Sequence, residues 1–158
     1  MVTVEAADGV SGLDTVDADA VQGLIEQVLD THGEPGDVTV VLADDRVLRD
    51  LNLQYRSIDA STDVLSFNLD DELVAEGQED IPLGDIYISL ERARAQAEEA
   101  GRSFQDEVQH LAVHGSLHLL GFEHDTDAGF RRMREEEDRF LLAQAEPSGV
   151  DTGSDIRA

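Results

Sequence analysis

Apolar residues recur along this chain at helical spacing in some stretches and in short unbroken runs in others, and these patterns divide it into helices and strands. Val21, Leu24, Ile25, Val28 and Leu29 share one helical face. Asp17 or Asp19 suits the N-cap of that helix, and Gly33 is its expected stop. After a turn at Pro35-Gly36, the β-branched run Val38-Thr39-Val40-Val41-Leu42 reads as a buried strand. A second helix is expected from around Asp45 to Gln54, with Val47, Leu48, Leu51 and Leu53 as its apolar positions.

Val64-Leu65-Ser66-Phe67-Asn68 and Asp85-Ile86-Tyr87-Ile88-Ser89-Leu90 are two further expected strands. The acidic stretch between them, Asp70 to Asp80 and then Ile81-Pro82-Leu83-Gly84, reads as a loop or crossing connection. Glu91 to Ala100, rich in Ala, Glu, Gln and Arg and followed by Gly101, is a third helix with few core residues. Ser103 opens a fourth helix, from Phe104 to about Leu120, with Val108, Leu111 and Leu117 inward and Gly121 as its end. A last helix spans Asp127 to Gln144 and carries Phe130, Met133, Phe140 and Leu141. Residues 1–146 are expected to form one α+β domain, a small mixed sheet packed against several helices, and residues 147–158 a disordered acidic tail.

Composition narrows the chemistry. A chain of 158 residues is long enough to bury a core of its own. It has no cysteine, which excludes disulfides, thiolate metal ligands, iron–sulfur clusters and a cysteine nucleophile, so a bound metal must sit on nitrogen and oxygen. No secretory signal and no long apolar run is present, and a soluble cytoplasmic protein is expected. The net charge is −25, and all 11 basic residues are arginine. Such a surface suits a high-salt cytoplasm, where its self-repulsion is screened; an arginine-preferring, GC-rich genome is the plainer account.

The segment His114-Gly115-Ser116-Leu117-His118-Leu119-Leu120-Gly121-Phe122-Glu123-His124-Asp125 carries most of the functional information. A lone histidine is usually a packing residue, but four of the five histidines here fall within fifteen positions. Residues four apart on a helix share a face, so His114 and His118 can offer two imidazoles to one ion. Gly121 tolerates positive φ and lets the chain turn back, bringing His124 beside them. Three imidazoles leave one position of a tetrahedral zinc ion open, the mark of a catalytic site, and zinc lowers the pKa of a bound water to roughly 7. The spacing H-x-x-x-H-x-x-G-x-x-H gives a zincin-like histidine-bearing helix; it is that of metzincin peptidases, except that Gly115 stands where they carry their glutamate base. His110 suits a place behind the ligands or in packing, while Glu123 and Asp125 either orient an imidazole or stand in solvent.

These residues resemble the YbeY family of rRNA maturation factors and single-strand-specific endoribonucleases. The resemblance rests on Leu51-Asn52 with Tyr55-Arg56, on Thr62-Asp63-Val64-Leu65-Ser66-Phe67, on Leu83-Gly84-Asp85-Ile86 and on His114 to Asp125, in the family's order. It implies one zinc ion per chain on His114, His118 and His124, with His114 also counted in the catalytic set. It implies a functional arginine at Arg56, where a guanidinium can bind phosphate through paired hydrogen bonds. The activity implied is endoribonuclease action in 3′-end maturation of small-subunit rRNA and in ribosome quality control. Its implied partners are ribosomal RNA, the small ribosomal subunit, a small-subunit ribosomal protein and an Era-type GTPase, with no membrane. Asn68 and Glu123 depart from the family pattern, which often has proline and usually aspartate there. Thr62, Asp63, Ser66 and Asp85 read as mainly structural. Arg46, Arg49, Arg56, Arg92 and Arg94 are expected to line one cleft, and Arg131, Arg132 and Arg134 to pair with Glu135 to Glu137. Two other readings stay open: a ribosome assembly factor with a structural zinc, and a metzincin-like metallopeptidase.

Overall fold

Each helix begins where a short polar side chain can take the place of a missing carbonyl partner. The computed structural model describes residues 1–7, 9–10, 15–33, 36–68, 82–122 and 126–145. In chain order the elements are β1 (Val2–Ala6), α1 (Ala18–Thr31), β2 (Asp37–Ala43), α2 (Asp45–Arg56), β3 (Val64–Asn68), β4 (Pro82–Ser89), α3 (Leu90–Ala100), α4 (Phe104–Leu119) and α5 (Asp127–Ala145). Asp17, Asp44, Ser89 and Ser103 cap α1 to α4, each accepting from the backbone N–H three residues on. Pro35, the acidic connection at Asp70 to Asp80 and the expected tail at 147–158 lie outside the described residues.

The strands form one mixed sheet in the order β1-β2-β4-β3. β1, β2 and β4 run parallel, and β3 closes one edge antiparallel to β4, with Ser66 opposite Ile86 and Phe67 opposite Asp85. β1 is not among the strands expected from the sequence, although Val2-Thr3-Val4 alternates as a strand should. β4 also starts earlier than expected, at Pro82, a residue tolerated as the first of a strand.

Alternation along the strands sends side chains to two different helix layers. Val2, Val38, Val40, Leu42, Ile86 and Ile88 face the larger core, with Val21, Leu24, Ile25 and Val28 of α1, Val108, Ala112, Val113 and Leu117 of α4, and Met133 and Phe140 of α5. Leu65 and Ala43 face the other side, where Leu48 of α2 covers them, flanked by Phe67 and Tyr87. Burying each large apolar side chain is worth roughly 1.5–3 kcal/mol, which makes the first layer the main source of stability. α4 lies at its centre, touching α1, α3, α5, β3 and β4, so whatever α4 carries is held from several sides. The result is a single-domain α+β fold. Among the described residues no helix is long and apolar enough to cross a membrane.

Candidate metal centre

His110, His114 and His118 recur every four residues of α4 and therefore project from one side of it. The opposite faces are committed to packing. Leu111, Ala112 and Leu117 enter the core, and Gly115 faces the sheet. A β-carbon on Gly115 would stand 2.7 Å from Ile86 Cγ2 and 3.0 Å from Ser66 Oγ, so only glycine allows this approach of helix and sheet. Ser66 Oγ donates to Gly115 O at 2.9 Å, and Asn68 donates through its side-chain amide to Leu119 O at 3.0 Å, tying edge strand β3 along the helix.

The last turn of α4 ends in a Schellman motif. Phe122 N–H donates to Leu117 O and Gly121 N–H to His118 O, both at 3.0 Å, with Gly121 at φ 97°. The sharp turn expected there is present. His124, Glu123 and Asp125 lie outside the described residues. The chain is described again from Thr126, whose hydroxyl accepts from Gly129 N–H at 3.0 Å and caps α5.

The Nε2 atoms of His114 and His118 approach to 3.2 Å, with ring centroids 4.7 Å apart and ring planes 80° apart. On its other side His114 donates from Nδ1 to Glu137 Oε2 of α5. A carboxylate only accepts, so this bond places a proton on His114 Nδ1, while its Nε2 is turned toward His118. Two nitrogens each about 2.05 Å from one tetrahedral ion stand about 3.3 Å apart, and this pair therefore suits a divalent metal. Among the described residues no set of three histidine, aspartate or glutamate side chains is arranged to hold a metal, so the described donors number two.

Glu137 is buried and also accepts from His110 Nε2 at 3.1 Å. Burial pushes its carboxyl up, but the hydrogen bonds from His110 and His114 outweigh that and leave it at about 2. The same bond to Glu137 raises the pKa of His110, against burial and the nearby Arg102. His110 thus shares the Glu137 carboxylate with His114. Glu137 was missed in the sequence, although it lies on the buried stripe of α5 between Met133 and Phe140. It does not pair with the arginines of its own helix. Arg132 and Arg134 stack over Phe122 and Phe130, and Glu136 pairs with His32 at 2.9 Å and Arg139 at 3.4 Å.

Arg56 occupies the last turn of α2, its guanidinium 5.8 Å from the centre of the Phe67 ring. Phe67 belongs to the α2 side of the sheet, whereas its neighbour Ser66 faces α4. Among the described residues no hydrogen bond or ion pair joins Arg56 to the histidine pair. Of the five arginines expected in one cleft, Arg46, Arg49 and Arg92 do line a cleft of about 800 Å³, together with Asp45, Asp50 and Asp59. Arg49 pairs with Asp59 and Arg92 with Asp45, so most of that positive charge is locally offset. Arg94 instead stacks on Phe104 at 4.1 Å. The motif residues Thr62, Asp63 and Ser66 make structural hydrogen bonds, and burial, then Glu5, raise the pKa of Asp85.

A family model described as endoribonuclease YbeY matches residues 11–145. Endoribonuclease YbeY of Desulfitobacterium hafniense strain Y51 is 47% identical over 125 residues, spanning 76% of this chain and 80% of its own. The protein of the same name from Caldanaerobacter subterraneus subsp. tengcongensis is 43% identical over 139 residues, spanning 83% of this chain and 87% of its own. The solution structure of TM1509 from Thermotoga maritima matches with a TM-score of 0.62 at 25% identity, over 97% of this chain and 99% of that one. With the family's segments in order and its histidine helix at the centre of the fold, this chain belongs to the endoribonuclease YbeY family.

Proposed function

We propose that this chain is a zinc-dependent, single-strand-specific endoribonuclease of the cytoplasm. Its proposed role is to mature the 3′ end of small-subunit rRNA and to take part in ribosome quality control. The observation that carries this reading is the 3.2 Å convergence of His114 Nε2 and His118 Nε2, backed by Glu137, in a chain of this family. His124 completes the proposed ligand set. Zinc held there would supply Lewis acidity at the scissile phosphate.

The chain's own groups divide the remaining work. His114 and His118 direct their Nε2 atoms at one point, and the packing of α4 prevents them from drifting. Arg56, exposed at the end of α2, offers paired N–H donors to a phosphate and offsets charge that develops there. With a net charge of −25 the surface does not attract RNA at long range. Docking on the small ribosomal subunit, with a ribosomal protein and an Era-type GTPase as partners, supplies the proximity that electrostatics does not.

The acidity favours one competing reading, an assembly factor whose zinc is structural. Against the peptidase reading stands Gly115, because the position that would carry the peptidase base points into Ile86 and Ser66 and has no room for a side chain. The test is metal quantification with cleavage assays on single-stranded RNA and on a peptide library. Wild type is expected to hold one zinc and cut RNA, His118→Ala to lose both, and Arg56→Ala to keep the zinc and lose cleavage. Full RNA cleavage by Arg56→Ala removes that residue from the mechanism, and peptide turnover without RNA turnover overturns the proposal. A cyclic phosphate on the product marks the ribose 2′-hydroxyl as nucleophile.

A further inference from the structure

We infer that Glu137 is the positioning residue of the metal centre, holding His114 in the tautomer that carries its proton on Nδ1 and so presents Nε2 as the cation-binding nitrogen, and that His110 and Arg102 hold Glu137 in turn. The inference rests on the proposed function only for what binds at Nε2. The proton arrangement stands without it.

The direction of every hydrogen bond in this chain of contacts follows from its outer end. A guanidinium has donors and no acceptor, so the 3.2 Å contact from Arg102 to His110 Nδ1 makes Nδ1 the acceptor. Neutral His110 then carries its proton on Nε2, which donates to Glu137 Oε1 at 3.1 Å. The second carboxylate oxygen takes the Nδ1 proton of His114. One arrangement of protons satisfies these three contacts, and it places the His114 proton on Nδ1.

Two further observations set Glu137 apart from its neighbours. Glu135 is exposed, and Glu136 turns to His32 and Arg139 on another side of α5. Glu137 alone of the three lies on the stripe that Met133 and Phe140 bury, so core packing rather than a loop fixes its carboxylate. Burial also strengthens its hold, since a hydrogen bond to a charged group is stronger out of water. An imidazole without such a partner divides its time between two tautomers, one of which cannot bind a cation at Nε2. Carboxylates placed behind metal-bound histidines characteristically affect metal affinity by 10- to 100-fold.

The experiment pairs imidazole ¹⁵N NMR on the metal-free protein with zinc affinity measured by chelator competition. Metal-free wild type is expected to show His114 as the Nδ1–H tautomer. Glu137→Gln is expected to lose that preference and to bind zinc about 10- to 100-fold more weakly, while Glu136→Gln matches wild type in both. A wild-type His114 found mainly as the Nε2–H tautomer overturns the inference, as does a folded Glu137→Gln with wild-type zinc affinity. The tautomer measurement needs neither zinc nor a variant. Failure of the zinc reading is therefore distinguishable from failure of this one, and a variant that does not fold leaves the wild-type spectrum to decide.

Discussion

Gly115 of α4 lies against Ile86 of β4 so closely that a single added carbon would come within 2.7 Å of the isoleucine methyl. The contact sets the depth at which α4 rests on the sheet, and with it the position of His114 next door. Gly115→Ala therefore sets two effects against each other. Alanine favours the helix by about 0.8–1 kcal/mol, while overpacking costs typically about 1–3 kcal/mol. Ile86, Ser66 and Val64 are all held in the sheet and cannot yield cheaply. A net loss of stability is expected in urea unfolding, together with weaker zinc binding. A variant as stable as wild type would show that the helix is free to shift outward.

The pair of half-buried His110 and buried Glu137 gives the metal-free protein a defined pH window. The Glu137 carboxyl is lowered from 4.5 to about 2, so its contribution is complete above pH 4.5 and is lost as pH falls toward 2. The pKa of His110 is raised above 6.5, so its contribution is complete below pH 6.5 and is lost as pH rises through the raised value. Glu107 and Arg102 also face His110, the first raising its pKa and the second lowering it. The stability difference between wild type and Glu137→Gln, followed by urea unfolding across pH, is expected to peak between 4.5 and 6.5. A difference independent of pH would show that the pair contributes through shape alone.

Ser57 ends α2 with φ 59°, the one non-glycine residue with positive φ among those described. A left-handed conformation costs an L-residue about 1–2 kcal/mol, and glycine is the usual occupant of a helix end of this kind. Ser57→Gly is expected to raise stability by a few tenths to about 1 kcal/mol, partly offset by the greater freedom of glycine in the unfolded chain. Thermal unfolding reads the change. A lower midpoint would mean that the serine hydroxyl contributes more than the backbone strain costs.

A net charge of −25 repels itself at a range set by salt. The Debye length falls from about 10 Å at 0.1 M to about 3 Å at 1 M. The unfolding midpoint is expected to rise steadily from low to molar KCl. A flat response would remove the high-salt interpretation and leave codon preference as the account of the missing lysines.

Local signals were legible before any coordinates. Polar caps and glycine stops marked the ends of α1, α3 and α4 to within a residue or two, because each acts on backbone groups within its own turn. β3 matched its expected bounds, and β2 extended by only one residue at each end. The His114 and His118 pairing needed only the helical repeat to be foreseen. β1 was overlooked, because five residues at the start of a chain carry little periodicity of their own.

Everything that depends on which elements meet was decided by the tertiary fold. In the sequence, Glu135, Glu136 and Glu137 are three like residues on an acidic helix, and nothing local tells them apart. Packing of α5 on α4 buries the third beside two imidazoles and leaves the first in water. The same holds for Arg56, whose side of the sheet follows from the strand order and from β3 closing an edge. Sequence by itself determined the helices, most of the strands and two nitrogen donors on one helical face, since these depend on contacts a few residues long. The proton arrangement behind those donors, and the exclusion of a side chain at Gly115, depend on surfaces brought together from distant parts of the chain, and only the folded structure defines them.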